Sequence, residues 1–199
     1  QIWRMHTKLE GKRSIAQYCL DNNVLALGWG HPESYEKYMK ERLSGKAIRN
    51  FDEYEKLIDF VNEIDDKKLD YDVNKCVYRL AREVKSNDLV WIRHEGEYYL
   101  GRVGDESQWY YQHPKEMEES VKDGNNQRSN IEWIKVGDES AIPGSISTAL
   151  IGGTTLQRIR SEGVNEFSKW IYNKKRKDTY KLSKKEFSKD AFFSMISSD

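Results

Sequence analysis

Residues 87–137 carry the feature that most restricts how this chain can fold. They read NDLVWIRHEGEYYLGRVGDESQWYY, then a polar stretch, then RSNIEWIKVG. Tryptophan, tyrosine and aliphatic residues alternate with polar ones at a period of two, and glycines interrupt them. That pattern specifies short strands joined by tight turns. A second tryptophan-bearing segment, VLALGWG at 24–30, lies far upstream. Two such segments can set aromatic rings on facing walls of one pocket. A pocket of that kind suits a flat ligand, and nucleobases are common flat ligands of β-rich modules.

The 199 residues suffice for one domain with a proper core or for two small ones. Lys+Arg and Asp+Glu balance at 33 each, so net charge does not argue for nucleic acid and local asymmetry must. Cys19 and Cys76 form no CxxC pair, which fits a reduced, cytoplasmic protein. No apolar run reaches the roughly 18 residues of a membrane span, and no signal peptide is evident. The chain begins at Gln1 and stops after MISSD, so it reads as a piece of a larger protein whose effector domain lies elsewhere.

Along the chain, 2–8 reads as a first strand and 11–22 as a short helix that Ser14 could cap. VLALGW follows as a second strand, an order that suits a parallel crossover. Residues 34–67 are helical by periodicity, with a break at GKAIRN, and 73–84 form another helix. Together, 34–84 read as a helical insertion between strands. Three central strands are predicted at 89–94, 98–104 and 107–112, with turns at HEGE and GDES. Residues 113–130 read as an exposed loop, 131–136 as the last strand, and SISTALIGGTTLQRIR as helix in two pieces. A short amphipathic helix at 164–172 precedes a basic run, 174–189. The fold class is α+β: one domain over 1–160, then a basic helical segment or linker over 161–199.

Catalytic signatures are absent from the sequence: no P-loop, GxGxxG, HExxH or GxSxG. His6, His31, His94 and His113 are scattered without ligand spacing, and Asp65, Asp66, Asp70 and Asp72 read as a solvated face. No catalytic residue, cofactor or metal is expected. Among the tryptophans, Trp91 and Trp133 have aliphatic neighbours and read as core. Trp29 stands between two glycines at a strand end, which suits a rim. Trp109 follows a turn and is trailed by Tyr110 and Tyr111, more aromatic surface than one strand buries on one side.

The order of LALGWG (25–30), SNDLVWI (86–92), YYLGRV (98–103) and IEWIKVGDESAIPGS (131–145) resembles the PUA-like superfamily, notably its EVE and YTH branches. The resemblance covers residues 2–147 apart from the helical stretch 34–84, which is longer than such domains usually carry. Asn87 stands where those domains often have glycine. The resemblance implies a small twisted β-barrel with flanking helices, whose aromatic cage takes a modified base. It would place Trp29 on one wall and Trp109 on the other, with the backbone of Gly30 and His31 reading the base edge. Such domains occur as specificity modules of modification-dependent restriction proteins, so a place in phage defence is implied as well.

On this reading the chain binds DNA carrying a modified base, which it flips from the duplex. Tyr99 and Tyr110 complete the cage, and Trp3 is a further candidate. Arg4, Arg13, Arg102 and Arg158 are the candidate contacts to phosphates or base edges, with Lys174, Lys175 and Arg176 opening the basic run. Modified RNA is the close second substrate. A reader of methylated lysine is the alternative from another class, since aromatic cages also hold such cations and Glu97, Asp105 and Glu106 are nearby carboxylates.

Overall fold

The computed structural model describes residues 1–7, 14–28, 32–43, 47–64, 71–113, 116–117, 121, 124–152, 155–177 and 179–182. They form a mixed α+β structure with two sheets, and the chain divides into two compact units. Neither sheet is closed among the described residues. The first unit holds residues 1–7, 84–105 and 131–199, and the second holds 8–83 and 106–130.

The first unit is built on a five-stranded sheet. Its strands are β1 (Ile2–Met5), β3 (Leu89–His94), β4 (Glu97–Val103), β7 (Ile131–Gly137) and β8 (Leu156–Arg158), in the order β7-β4-β3-β1-β8. β1 and β3 run parallel and every other pairing is antiparallel. The first four residues of β3 are all buried, as a central strand covered on both faces requires. Helix α6 (Glu162–Arg176) packs Val164, Phe167, Ile171 and Tyr172 into a core with Leu89, Trp91, Leu100 and Ile134. Trp91 stacks on Phe167 with ring centroids 6.3 Å apart, and its indole N–H donates to Ser168 Oγ at 2.9 Å. Helix α5 (Gly144–Ala149) adds Ile146 to this core. The turn in HEGE joins β3 to β4, with Glu95 at φ 50° and Gly96 at φ 83°. Two successive positive φ values match the right-handed twist of a two-residue hairpin.

The second unit has a three-stranded antiparallel sheet, β2 (Leu25–Leu27), β6 (Asn126–Arg128) and β5 (Trp109–Tyr111), in the order β2-β6-β5. Helices α1 (Ala16–Asn22), α2 (Pro32–Glu41), α3 (Phe51–Ile64) and α4 (Tyr71–Tyr78) belong to it, and a π-helical turn, Arg79–Glu83, continues α4. The sheet registers three rows: Leu25–Arg128–Trp109, Ala26–Gln127–Tyr110 and Leu27–Asn126–Tyr111. Side chains alternate across the pleat, so the first and third rows share one face and the middle row takes the other. Phe51 and Tyr54 of α3 pack edge-on against Trp109, at 5.3 and 5.7 Å between centroids.

Several sequence expectations change. The strand–helix–strand opening is no parallel crossover, because β1 and β2 lie in different sheets and the parallel partner of β1 is β3. Within 34–84, read as a helical insertion, α3 sets Phe51 against Trp109 of β5. The expected exposed loop at 113–130 contains β6, whose Asn126 and Gln127 are fully buried. TLQRIR holds the edge strand β8, not a helix. Helix α6, within the C-terminal segment read as helical and basic, packs its apolar face into the core of the first unit.

Candidate functional site

Of the expected cage residues, Trp29, Gly30 and His31 lie outside the described residues, as do Arg13 and much of the basic run beyond residue 182. β2 ends in the row Leu27–Asn126–Tyr111, and Gly28 follows at φ 145°, a conformation that favours glycine. The remaining candidates divide between the units. Trp3 and Tyr99 belong to the first, Trp109 and Tyr110 to the second.

Trp3 is fully buried, and its indole N–H donates to Asp88 Oδ2 at 2.8 Å. Tyr99 is half-buried on β4, in register with Ile92 and Lys135. Trp133, expected in the core, is half-buried and lies over Gly101, where an added Cβ would come within 2.7 Å of its ring. Trp109 and Tyr110 are consecutive on β5 and so face opposite sides of their sheet. Trp109 lies among Phe51 and Tyr54, whereas Tyr110 joins the middle row beside Gln127.

The candidate cations are also sorted. Arg4 is buried and donates to Gln157 Oε1 at 2.6 Å. Arg102 donates to Asn87 Oδ1 and to Glu132 Oε1, the latter at 2.8 Å, and Asp105 lies beside it. The exposed Asp105 carboxyl is held below its usual range by the Ser86 hydroxyl and then by Arg102. Arg158 is exposed and sets its guanidinium 4.9 Å from the centroid of the Trp3 ring. Lys174, Lys175 and Arg176 form an exposed basic end to α6; Lys174 lies over Trp170 and Arg176 donates to Trp133 O at 3.3 Å.

A built site emerges around the middle row of the second unit. A cleft of about 440 Å³ is lined by Tyr18, Asn22, Val24, Tyr110, Tyr111, Gln112 and Glu116. Behind it lies Gln127, fully buried on β6. Gln127 Nε2 donates to Gln112 Oε1 at 2.7 Å and to the Tyr18 hydroxyl at 3.0 Å, and its Oε1 accepts from the Tyr110 hydroxyl. Asn125 pins the backbone of Gln112 on both sides: Gln112 N–H donates to Asn125 O at 2.8 Å, and Asn125 Nδ2 donates to Gln112 O at 3.2 Å. Helix α1 brings Tyr18 to this face by burying Cys19 beside it, and Gly124 leaves room for Ile15, whose Cδ1 would meet an added Cβ at 2.2 Å. Burial, followed by the nearby Tyr18 and Cys19, pushes the Tyr110 hydroxyl up to about 12, so at neutral pH it is a neutral donor.

Such an arrangement offers flat aromatic walls, fixed amides and one carboxylate, which suits stacking and edge-on hydrogen bonding. Tyr110 was legible in the sequence. Gln127 was not, because a polar NNQR segment reads as loop, and Tyr18, Gln112 and Glu116 read as ordinary helix, strand-end and loop residues. No group of three His, Cys, Asp or Glu side chains among the described residues could hold a metal ion, and none of the described helices is long and apolar enough to cross a membrane. Comparisons with protein-family models, with curated proteins and with solved structures gave no match.

Proposed function

We propose that this chain is a PUA-like specificity module of the EVE/YTH kind, its small barrel included, that recognises a modified base in DNA after flipping it from the duplex. The observation that carries the reading is the cleft between Tyr18 and Tyr110. Its polar groups are held by the buried Gln127 amide, which suits reading a base edge. Trp29, two residues beyond β2, would supply the stacking wall, a contact worth about 1–3 kcal/mol per base. The exposed Arg158 and the basic end of α6 would contact phosphates. A place in a modification-dependent restriction system, with an effector domain in the same chain or complex, belongs to the same proposal. One observation favours the methyl-lysine alternative: Glu116 lines the same cleft as the tyrosines, as a cation cage would require.

The test is fluorescence-anisotropy binding to matched duplexes carrying cytosine, 5-methylcytosine, 5-hydroxymethylcytosine, adenine or N6-methyladenine, with single-stranded RNA versions and a trimethyl-lysine peptide alongside. The reading requires preference for one modified duplex, lost in Trp29→Ala and weakened steeply by salt. Equal weak binding to all duplexes, unmoved by Trp29→Ala, would overturn it, and tight peptide binding would replace it with the methyl-lysine reading.

A further inference from the structure

The hydrogen-bond polarity of the cleft can be worked out group by group, because each side chain has a fixed inventory of donors and acceptors. Gln127 Oε1 accepts from the Tyr110 hydroxyl, and the NH2 of that buried amide lies at its other end. The NH2 has two hydrogens and two recipients, Gln112 Oε1 at 2.7 Å and the Tyr18 oxygen at 3.0 Å. Tyr18 then has one hydrogen to give, and Gln112 Oε1 at 3.2 Å is nearer than Gln127 Oε1 at 3.4 Å. Gln112 Oε1 therefore accepts twice, and Gln112 Nε2 has no partner among the described residues. Gln112 and Glu116 both line the cleft.

We propose that Gln127, which does not line the cleft, sets its polarity. The cleft then presents one donor, Gln112 Nε2, and one anionic acceptor, Glu116, to the edge of a neutral heterocycle bearing both an acceptor and an N–H donor. This rests on the base-reader proposal and deepens it, since Gln127 is a positioning residue and Gln112 and Glu116 make the contact. A phosphate is repelled by Glu116, and a trimethylammonium has neither an N–H for Glu116 nor a lone pair for Gln112.

The experiment titrates cytidine, 5-methylcytidine, adenosine and N6-methyladenosine into the ¹⁵N-labelled full chain and follows the side-chain amide of Gln112, assigned with Gln112→Met. Trimethyl-lysine and inorganic phosphate are the contrasting probes. The expected result is movement of the Gln112 amide by at least one nucleoside and by neither contrasting probe. Gln127→Glu keeps the shape but replaces the donor with an oxygen. It should weaken the preferred nucleoside about tenfold, the scale of one hydrogen bond lost. Because a buried Gln127→Glu can fail to fold, Gln112→Met, at a half-buried position, must give the same loss with unchanged circular dichroism. A Gln112 amide unmoved by every nucleoside, or full affinity in Gln112→Met, overturns the proposal. If modified duplexes still bind in a Trp29-dependent way, base reading survives and this cleft is discarded. If they do not, both fall.

Discussion

Asp88 shows how one side chain organises its surroundings. Its Oδ2 accepts from the buried Trp3 indole at 2.8 Å and from the Lys85 amide at 3.0 Å, at the point where the chain enters β3. Asp88→Ala leaves both donors without an acceptor. The Trp3 indole N–H is the buried orphan, which costs about 1–3 kcal/mol, so urea unfolding should show a loss on that scale; a loss under about 1 kcal/mol would mean water replaces the carboxylate. Gly101 is constrained by space rather than by φ. An added Cβ there would lie 2.6 Å from Ile131 Cγ2 and 2.7 Å from two atoms of the Trp133 ring. Gly101→Ala should destabilise by about 1–3 kcal/mol, the scale of overpacking, and should move Trp133 fluorescence. Unchanged stability would show that the Trp133 ring, which is half-buried, swings aside without cost.

At the scale of elements, the π-helical turn at Arg79–Glu83 has a side-chain partner. A π turn opens the i→i+4 ladder and turns a carbonyl outward. Arg128 of β6, itself buried, donates to Leu80 O at 3.2 Å and to Ser107 O at 3.4 Å. Arg128→Met keeps the apolar stem and removes these bonds. The expected cost is about 2 kcal/mol, with faster amide exchange across 79–83; unaltered exchange there would show that the turn does not depend on Arg128. These elements also show what a sequence discloses. β3, β4 and their turn were legible, because a short apolar run (LVWI), a half-buried aromatic strand and a glycine at positive φ leave little choice. β6 was not, because burial of Asn126 and Gln127 depends on partners, Tyr54 for one and Tyr18 and Gln112 for the other, that no local pattern reveals. β8 was read as helix because an edge strand with two exposed polar residues has no apolar alternation to show. The candidate site was legible at Tyr110 alone, for the same reason that hid β6.

For the molecule as a whole, the buried acids give the fold a directional response to pH. Burial raises the Cys19 thiol from 9.0 to about 12, against a smaller opposing hydrogen bond with Ala26. Burial likewise raises Tyr54 from 10.0 to about 12, with Asn126 opposing. Both groups hold their protons more tightly folded than unfolded. Their contribution is therefore fully present below the unfolded pKa and is lost as pH rises through the folded value. For Cys19 that window runs from about 9 to about 12, and for Tyr54 from about 10 to about 12. Within its window each group lowers stability by up to about 1.4 kcal/mol per pH unit. Lysines and exposed tyrosines titrate in the same range, so the informative quantity is the difference between wild type and Cys19→Ala. Urea midpoints measured from about pH 7 to about pH 11 should show a constant difference up to about pH 8.5. Above that the wild-type advantage should shrink steadily, because only wild type must keep a thiol protonated that the unfolded chain would ionise. A difference that stays constant across the whole range would mean that the thiol ionises as readily folded as unfolded, and that α1 does not seal Cys19 against the sheet.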